Sequence, residues 1–308
     1  MCMLFENLVD AVGYTPLIKL KTKDDQGAAI YAKLESKNPG GSVKDRAAKF
    51  ILQDLMDRGL LEVGGTVVES TSGNTGIALA MLGAAMGIHV IIVMPETMSV
   101  ERRQLMRAYG AEVVLTPGSG GMKLAGEKAQ EIAKEKNAPI FGQFTNEANV
   151  KAHEQTTAQE ILSDLPNIDG FVAGIGTGGT VTGVGKILKV EKPEAKIWAV
   201  EPKESPLLTE GQAGSHKIQG LGANFIPQIL DQGVLDKVHQ VASEDAIQAA
   251  VALAKEQGIL AGFSSGANYL AALALAKELG PDKNVVVVFP DTGERYLSTG
   301  RFGEVDGE

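Results

Sequence analysis

Seven short runs rich in Val and Ile constrain this chain more than any other feature. They are AIYAKLE (29–35), TVVES (66–70), HVIIVMP (89–95), EVVLTP (112–117), GFVAGI (170–175), KIWAVEP (196–202) and NVVVVFP (284–290). Stretches of helical periodicity separate most of them, which is the pattern of βαβ units. Unbroken apolar character suits strands covered by helices on both faces, and right-handed crossovers wind such strands into doubly wound, mainly parallel sheets. Seven or more covered strands exceed one comfortable core, so the expectation is an α/β chain with two doubly wound domains. Gly, Pro and Asn mark loops at 37–41, 142–149 and 203–229, and no low-complexity tract or short repeat interrupts the pattern.

Composition excludes several function classes. A net charge of −9 and a pI near 5.1 argue against a nucleic-acid backbone as partner. No apolar run approaches the ~20 residues that cross a bilayer. The start, MCMLFENLVD, lacks a basic segment followed by an apolar one, so the expected location is the cytoplasm, with no membrane partner. The single cysteine, Cys2, rules out internal disulfides and is read as an incidental thiol. His89, His153, His216 and His239 show no metal-ligand spacing and are read as structural, so no metal is expected.

Open α/β sheets bind ligands beyond the carboxyl ends of their strands, so the strand-to-helix junctions hold the candidates. In NPGGSVKDR (38–46), Lys44 falls in the first turn of a helix, where the dipole disfavours a cation. Ser42 and Asp45 have the S-x-x-D spacing of a capping box. In ESTSGNTGIALA (69–80), Ser70 to Thr75 fill a junction whose hydroxyls and amides suit an anion, against a bland reading as N-caps. In GIGTGGT (174–180), Gly176, Thr177, Gly178, Gly179 and Thr180 can wrap a phosphate. That run also fits G-x-G-x-x-G, with Glu201 near the spacing of a ribose-binding acid, so a NAD-dependent oxidoreductase competes. Ser264, Ser265 and Gly266 open another Ala-rich helix and read alone as a cap. An amine, a phosphate cup and a carboxylate cup together match what pyridoxal 5'-phosphate and an amino acid require. On that reading the odd placement of Lys44 has a reason, since dipole and desolvation both favour the neutral amine.

The runs KLESKNPGGSVKDRAA, ESTSGNTGIALA, GIGTGGTVTGVGKILK, KIQGLGANFIP, SSGANYLAA and FPDTGERYLS, in this order, resemble the cysteine synthase (O-acetylserine sulfhydrylase) family of fold-type II, tryptophan synthase β-like enzymes. The likeness spans nearly the whole chain and demotes the nicotinamide reading. It implies two doubly wound domains, a smaller mobile one over 35–144 and a larger one of 1–34 plus 145–308, with pyridoxal phosphate in the cleft between them. It implies Lys44 as the Schiff-base lysine, Asn74 on the ring 3' oxygen, Gly176 to Thr180 on the phosphate and Ser264 at the pyridine nitrogen. A neutral hydroxyl there makes a weaker electron sink, which favours quick loss of a β-leaving group.

For the substrate, the resemblance implies that Thr71, Ser72, Gly73, Asn74 and Thr75 close on the carboxylate with Gln143, and that Gly220 lies near the amino-acid end of the site. The implied reaction replaces the acetoxy group of O-acetylserine by sulfide, with Lys44 as the base at Cα. A bacterial cystathionine β-synthase using homocysteine is the alternative. The haem-containing, regulated forms are disfavoured because the chain ends near the last motif and its start lacks a haem-ligand motif. The family also suggests a homodimer, and the carboxyl-terminal tail of serine acetyltransferase as a partner.

Overall fold

The computed structural model describes residues 4–22 and 26–303. Cys2 lies outside the described residues. Along the chain run β1 (Leu17–Lys19), β2 (Ala29–Leu34), α1 (Lys44–Asp57), β3 (Thr66–Ser70), α2 (Asn74–Met86), β4 (His89–Pro95), α3 (Val100–Ala108) and β5 (Glu112–Thr116). Then come α4 (Gly121–Lys136), α5 (Ala148–Ala152), a π-helical turn (His153–Thr157), α6 (Ala158–Asp164), β6 (Gly170–Gly174) and α7 (Gly179–Glu191). The last elements are β7 (Lys196–Pro202), α8 (Leu207–Glu210), β8 (Lys237–Val241), α9 (Ser243–Gln257), α10 (Phe263–Leu279) and β9 (Asn284–Phe289). Among the described residues no helix is long and apolar enough to cross a membrane.

The chain divides into two compact units. One comprises residues 4–13 and Asn38–Asn149, and the other Tyr14–Lys37 with the chain from Val150 onward. At its edges this division departs from the 35–144 expectation. Residues up to 13 go with the smaller unit because Val12 packs into the core made by Ile51, Leu55, Ile77 and Leu79.

In the smaller unit β3, β4 and β5 form a three-stranded, wholly parallel sheet. Alternation of side chains across a strand decides its two cores. Val67, Val90, Ile92 and Met94 face α1, α2 and Met106 of α3, whereas Val68, Ile91 and Val93 face Ala125, Ala129 and Ile132 of α4. The helix α2 is buried on nearly every side, which its sequence NTGIALAMLGAAM permits because it carries no charge.

The larger unit has six strands in the order β1-β2-β9-β6-β7-β8, all parallel except β1, which pairs antiparallel with β2. Val285, Val287 and Phe289 of β9 join the core under α9 and α10, while Val286 and Val288 join the one under α6 and α7. Both sheets are therefore doubly wound, as the apolar runs require. β1 and β8 escape the sequence reading for a physical reason. β1 is three residues long, and β8, KVHQV, is an edge strand whose side chains are mostly half-exposed, so neither shows a continuous apolar run.

Candidate active site

The candidate residues fall into two groups, each held within one unit. In the smaller unit Lys44 is the first residue of α1, half-buried, at the positive end of a 14-residue helix. The capping box expected of Ser42 and Asp45 does not form. Ser42 Oγ accepts instead from Lys44 N–H (3.3 Å), and the carboxylate of the fully buried Asp45 reaches back to Gly40 N–H (2.5 Å). The N-cap is Val43, one residue past Ser42, so the two side chains miss the box positions, and glycine at 40 lets the backbone approach Asp45, since a Cβ there would lie 2.7 Å from Asp45 Oδ1. The pair therefore fixes the loop ahead of Lys44 and pins the start of α1.

The second element of this group is the turn from β3 into α2. Gly73 is the N-cap, so Asn74 and Thr75 are the first helical residues and do not precede the helix as the junction reading had them. Gly73 N–H is directed at Thr71 Oγ1 (3.4 Å). Thr71 and Thr75 are buried, and Ser72, Gly73 and Asn74 are half-buried. The first four N–H groups of a helix have no intrahelical acceptor, so this turn offers backbone donors and hydroxyls to an anion. Behind it, Thr75 Oγ1 donates to Gln143 Oε1 (2.6 Å), and Gln143 Nε2 donates to Glu69 Oε1 (3.2 Å). Gly142 N–H occupies the other Glu69 oxygen (2.9 Å). Burial pushes the Glu69 carboxyl up to about 7, opposed by the two N–H donors from Gly142 and Gln143. The stability Glu69 contributes is thus fully present below its unfolded value near 4.5 and is lost as the pH rises through about 7.

In the larger unit β6 ends at Gly174, and the loop to α7 runs through Gly176, Thr177 and Gly178. A Cβ on Gly176 would sit 2.3 Å from the carbonyl oxygen of Gly220, and Gly178, the N-cap of α7, has φ +84°. Only glycine meets both demands. Gly220 itself takes φ +93°, and Gly222 N–H donates to Ile175 O (3.0 Å), so the two loops are braced together. Gly179 N–H is directed at Thr177 Oγ1 (3.3 Å). Thr180 Oγ1 bonds His153 Nε2 (3.2 Å), whose Nδ1 bonds Thr157 Oγ1 (2.9 Å) across the π-helical turn. His153 is thus tied to the phosphate-loop candidate, a link its position 27 residues upstream does not disclose.

Ser264 is buried in the first turn of α10. Gly262, and not a serine, is the N-cap, and a Cβ there would collide with Asp291 Oδ1 at 2.0 Å. The Glu201 carboxylate accepts from Leu208 N–H, Thr209 N–H and the Thr209 hydroxyl, so it anchors α8 and is spent for a ribose. Among the described residues no cluster of His, Cys, Asp and Glu could hold a metal ion.

These features fit pyridoxal phosphate. Glycine at 176 and 178 lets the loop lie against Gly220 and Leu230 while it turns into α7, and the backbone N–H groups at that helix start suit a phosphate group. Ser264 supplies an uncharged polar contact, and Ser265 Oγ beside it is buried with no hydrogen-bond partner among the described residues. Lys44 supplies an amine.

The chain belongs to the family of pyridoxal-phosphate dependent enzymes, whose model matches residues 8–291. Within that class, it is 51% identical to a cysteine synthase of Staphylococcus aureus over 96% of each chain. Among solved structures it is similar to an O-ureido-L-serine synthase, with a TM-score of 0.95, 44% identity and 99% and 98% of the two chains covered. It is also similar to the cysteine synthase of Entamoeba histolytica, with a TM-score of 0.93, 42% identity and coverage of 99% and 93%.

Proposed function

We propose that this chain catalyses β-replacement on O-acetyl-L-serine, in which sulfide takes the place of the acetoxy group to give L-cysteine and acetate. The observation that carries the reading is the likeness to cysteine synthases along 96% of the chain, together with an anion-ready turn at Thr71–Thr75 and a lysine-bearing helix start in the same unit. When bound, pyridoxal phosphate supplies the electron sink that makes the Cα proton of an amino acid removable and the β-substituent a leaving group.

The chain's own residues do the rest. Lys44 Nζ would hold the cofactor covalently and, once free, would remove the Cα proton as general base. The same amine returns a proton to Cα once sulfide has added. Gly176, Thr177, Gly178, Gly179 and Thr180 bind the phosphate through backbone N–H groups and hydroxyls. Asn74 would hold the ring oxygen, and Ser264 would serve the ring nitrogen as a neutral partner. Thr71, Ser72, Gly73, Asn74 and Thr75, with Gln143 behind them, hold the substrate carboxylate, and Gly220 borders the amino-acid end. Two copies of the chain form a homodimer in the cytoplasm, and the carboxyl-terminal tail of serine acetyltransferase is a proposed partner.

The acceptor is the part of this reading most open to direct test, since one similar scaffold makes O-ureido-L-serine. Purified enzyme given O-acetyl-L-serine with equal sulfide and homocysteine should yield mainly cysteine by mass spectrometry, with cystathionine a minor product and acetate equal to the sum of the two. Cystathionine as the sole product would transfer the chain to the homocysteine-using alternative.

A further inference from the structure

The buried chain of Glu69, Gln143 and Thr75 lies behind the substrate turn, and no step above uses its carboxyl. Each member is at least nine-tenths buried, and every hydrogen-bonding atom faces a neighbour with a donor or acceptor of its own. Asn149 Nδ2 holds the Gln143 backbone carbonyl (2.9 Å), which leaves the Gln143 amide as the part able to turn. An amide has a donor end and an acceptor end, so what sits on one side of it dictates what it presents on the other.

Two arrangements satisfy the chain. With Glu69 ionised, both its oxygens accept, from Gly142 N–H and from Gln143 Nε2. Gln143 Oε1 then faces Thr75, and the Thr75 hydroxyl must spend its proton inward. With Glu69 protonated on Oε1, the oxygen not held by Gly142, that O–H must donate to Gln143. The amide turns over, Nε2 donates to Thr75 Oγ1, and the Thr75 proton is released to point outward.

We propose that Glu69 is a positioning residue for the substrate turn, acting through the Gln143 amide so that its protonated form makes Thr75 a hydroxyl donor to the substrate carboxylate. The proposal rests on the reading of Thr71–Thr75 as the carboxylate site. In the ionised form the Thr75 hydroxyl offers that carboxylate only lone pairs, and the two acceptors repel. Substrate binding and proton uptake by Glu69 are then linked.

The surroundings allow the switch to work in the neutral range. Burial holds the Glu69 carboxyl at about 7, against the lowering by Gly142 N–H and the Gln143 amide. Its register neighbour on β4 is Ile92, and α2, packed on the same core, has no titratable side chain. The charged groups of α1 (Lys44, Asp45, Arg46, Lys49, Asp54 and Asp57), those of α4 and Glu147 are not among the influences on it, and Asp54 is held by Asn146 Nδ2 (3.0 Å). The protonated fraction falls from about nine-tenths at pH 6 to about one-tenth at pH 8. Affinity through the protonated form is reduced by the same fraction, which is about tenfold across that range.

Glu69→Gln tests this, because a glutamine can only donate to Gln143 while still accepting from Gly142, and so it fixes the protonated arrangement. The probe is L-serine, titrated into the holoenzyme at pH 6 and pH 8 and read by the cofactor's visible absorption. Titration of the serine amine is common to both proteins and cancels in their ratio. The variant should bind within about twofold of the unmodified enzyme at pH 6 and about tenfold more tightly at pH 8. A ratio that is the same at both pH values, with binding intact, overturns the proposal and leaves the carboxylate site standing. Absence of serine binding by either protein at both pH values overturns the carboxylate site and the proposal together. Should Glu69→Gln not fold, Thr75→Val removes the terminal donor. It should bind about tenfold more weakly than the unmodified enzyme at pH 6 and equally at pH 8, and unchanged binding at pH 6 overturns the proposal.

Discussion

Lys44→Ala is expected to abolish the visible absorption of the bound cofactor and to lower turnover by at least about 10³-fold, the loss that follows removal of a general base that is also the covalent anchor. The fold should persist. What pins the start of α1 is Ser42 Oγ on the Lys44 N–H and Asp45 on the Gly40 N–H, and neither contact uses the lysine side chain. Alanine is also the best helix former, so the apo variant should melt within a few degrees of the apo parent. Spectra, steady-state rates and thermal melts of the two proteins check all three statements. A variant that keeps its colour and its rate would remove Lys44 from the mechanism.

Gly176→Ala is expected to be nearly as severe by a different route. The added Cβ would meet a backbone oxygen, that of Gly220, at 2.3 Å, and a backbone atom cannot swing aside as a long side chain can. The Gly220 loop is in turn fixed by Gly222 N–H on Ile175 O. Overpacking of this kind costs about 1–3 kcal/mol, and the loop that yields is the one read as the phosphate cup. Cofactor affinity should fall by more than about tenfold, measured by titration of apoprotein with pyridoxal phosphate. Gly126→Ala in α4 is the contrast, since its Cβ would find only Ser70 Oγ at 3.7 Å. It should leave affinity unchanged and stabilise the chain by about 0.5–1 kcal/mol. Equal behaviour of the two variants would contradict the account of the glycine cradle.

The two doubly wound sheets were legible in the sequence because their strands are covered on both faces and so read as unbroken runs. Residues 66–70, 89–95 and 196–202 match the strands β3, β4 and β7 to the residue. β8 was not legible because an edge strand with Lys, His and Gln among its five residues shows no such run. Site loops were legible where local chemistry is unusual, as at Gly176–Thr180, since glycine density at a helix start has few other causes. Helix starts were placed less well. The serines at 264 and 265 sit inside α10, whose N-cap is Gly262, a position where Asp291, 29 residues further on, leaves no room for a side chain. His153 and Glu69 were missed because their partners, Thr180 and Gln143, are 27 and 74 residues away and a single sequence gives no sign of the pairing.

The central claim, that Lys44 carries the cofactor, is tested most directly by reducing the holoenzyme with borohydride, digesting it and mapping the pyridoxyl phosphate by mass spectrometry. The account predicts the label on Lys44 alone. A label on another lysine, such as the half-buried Lys49 five residues further along α1, would contradict it.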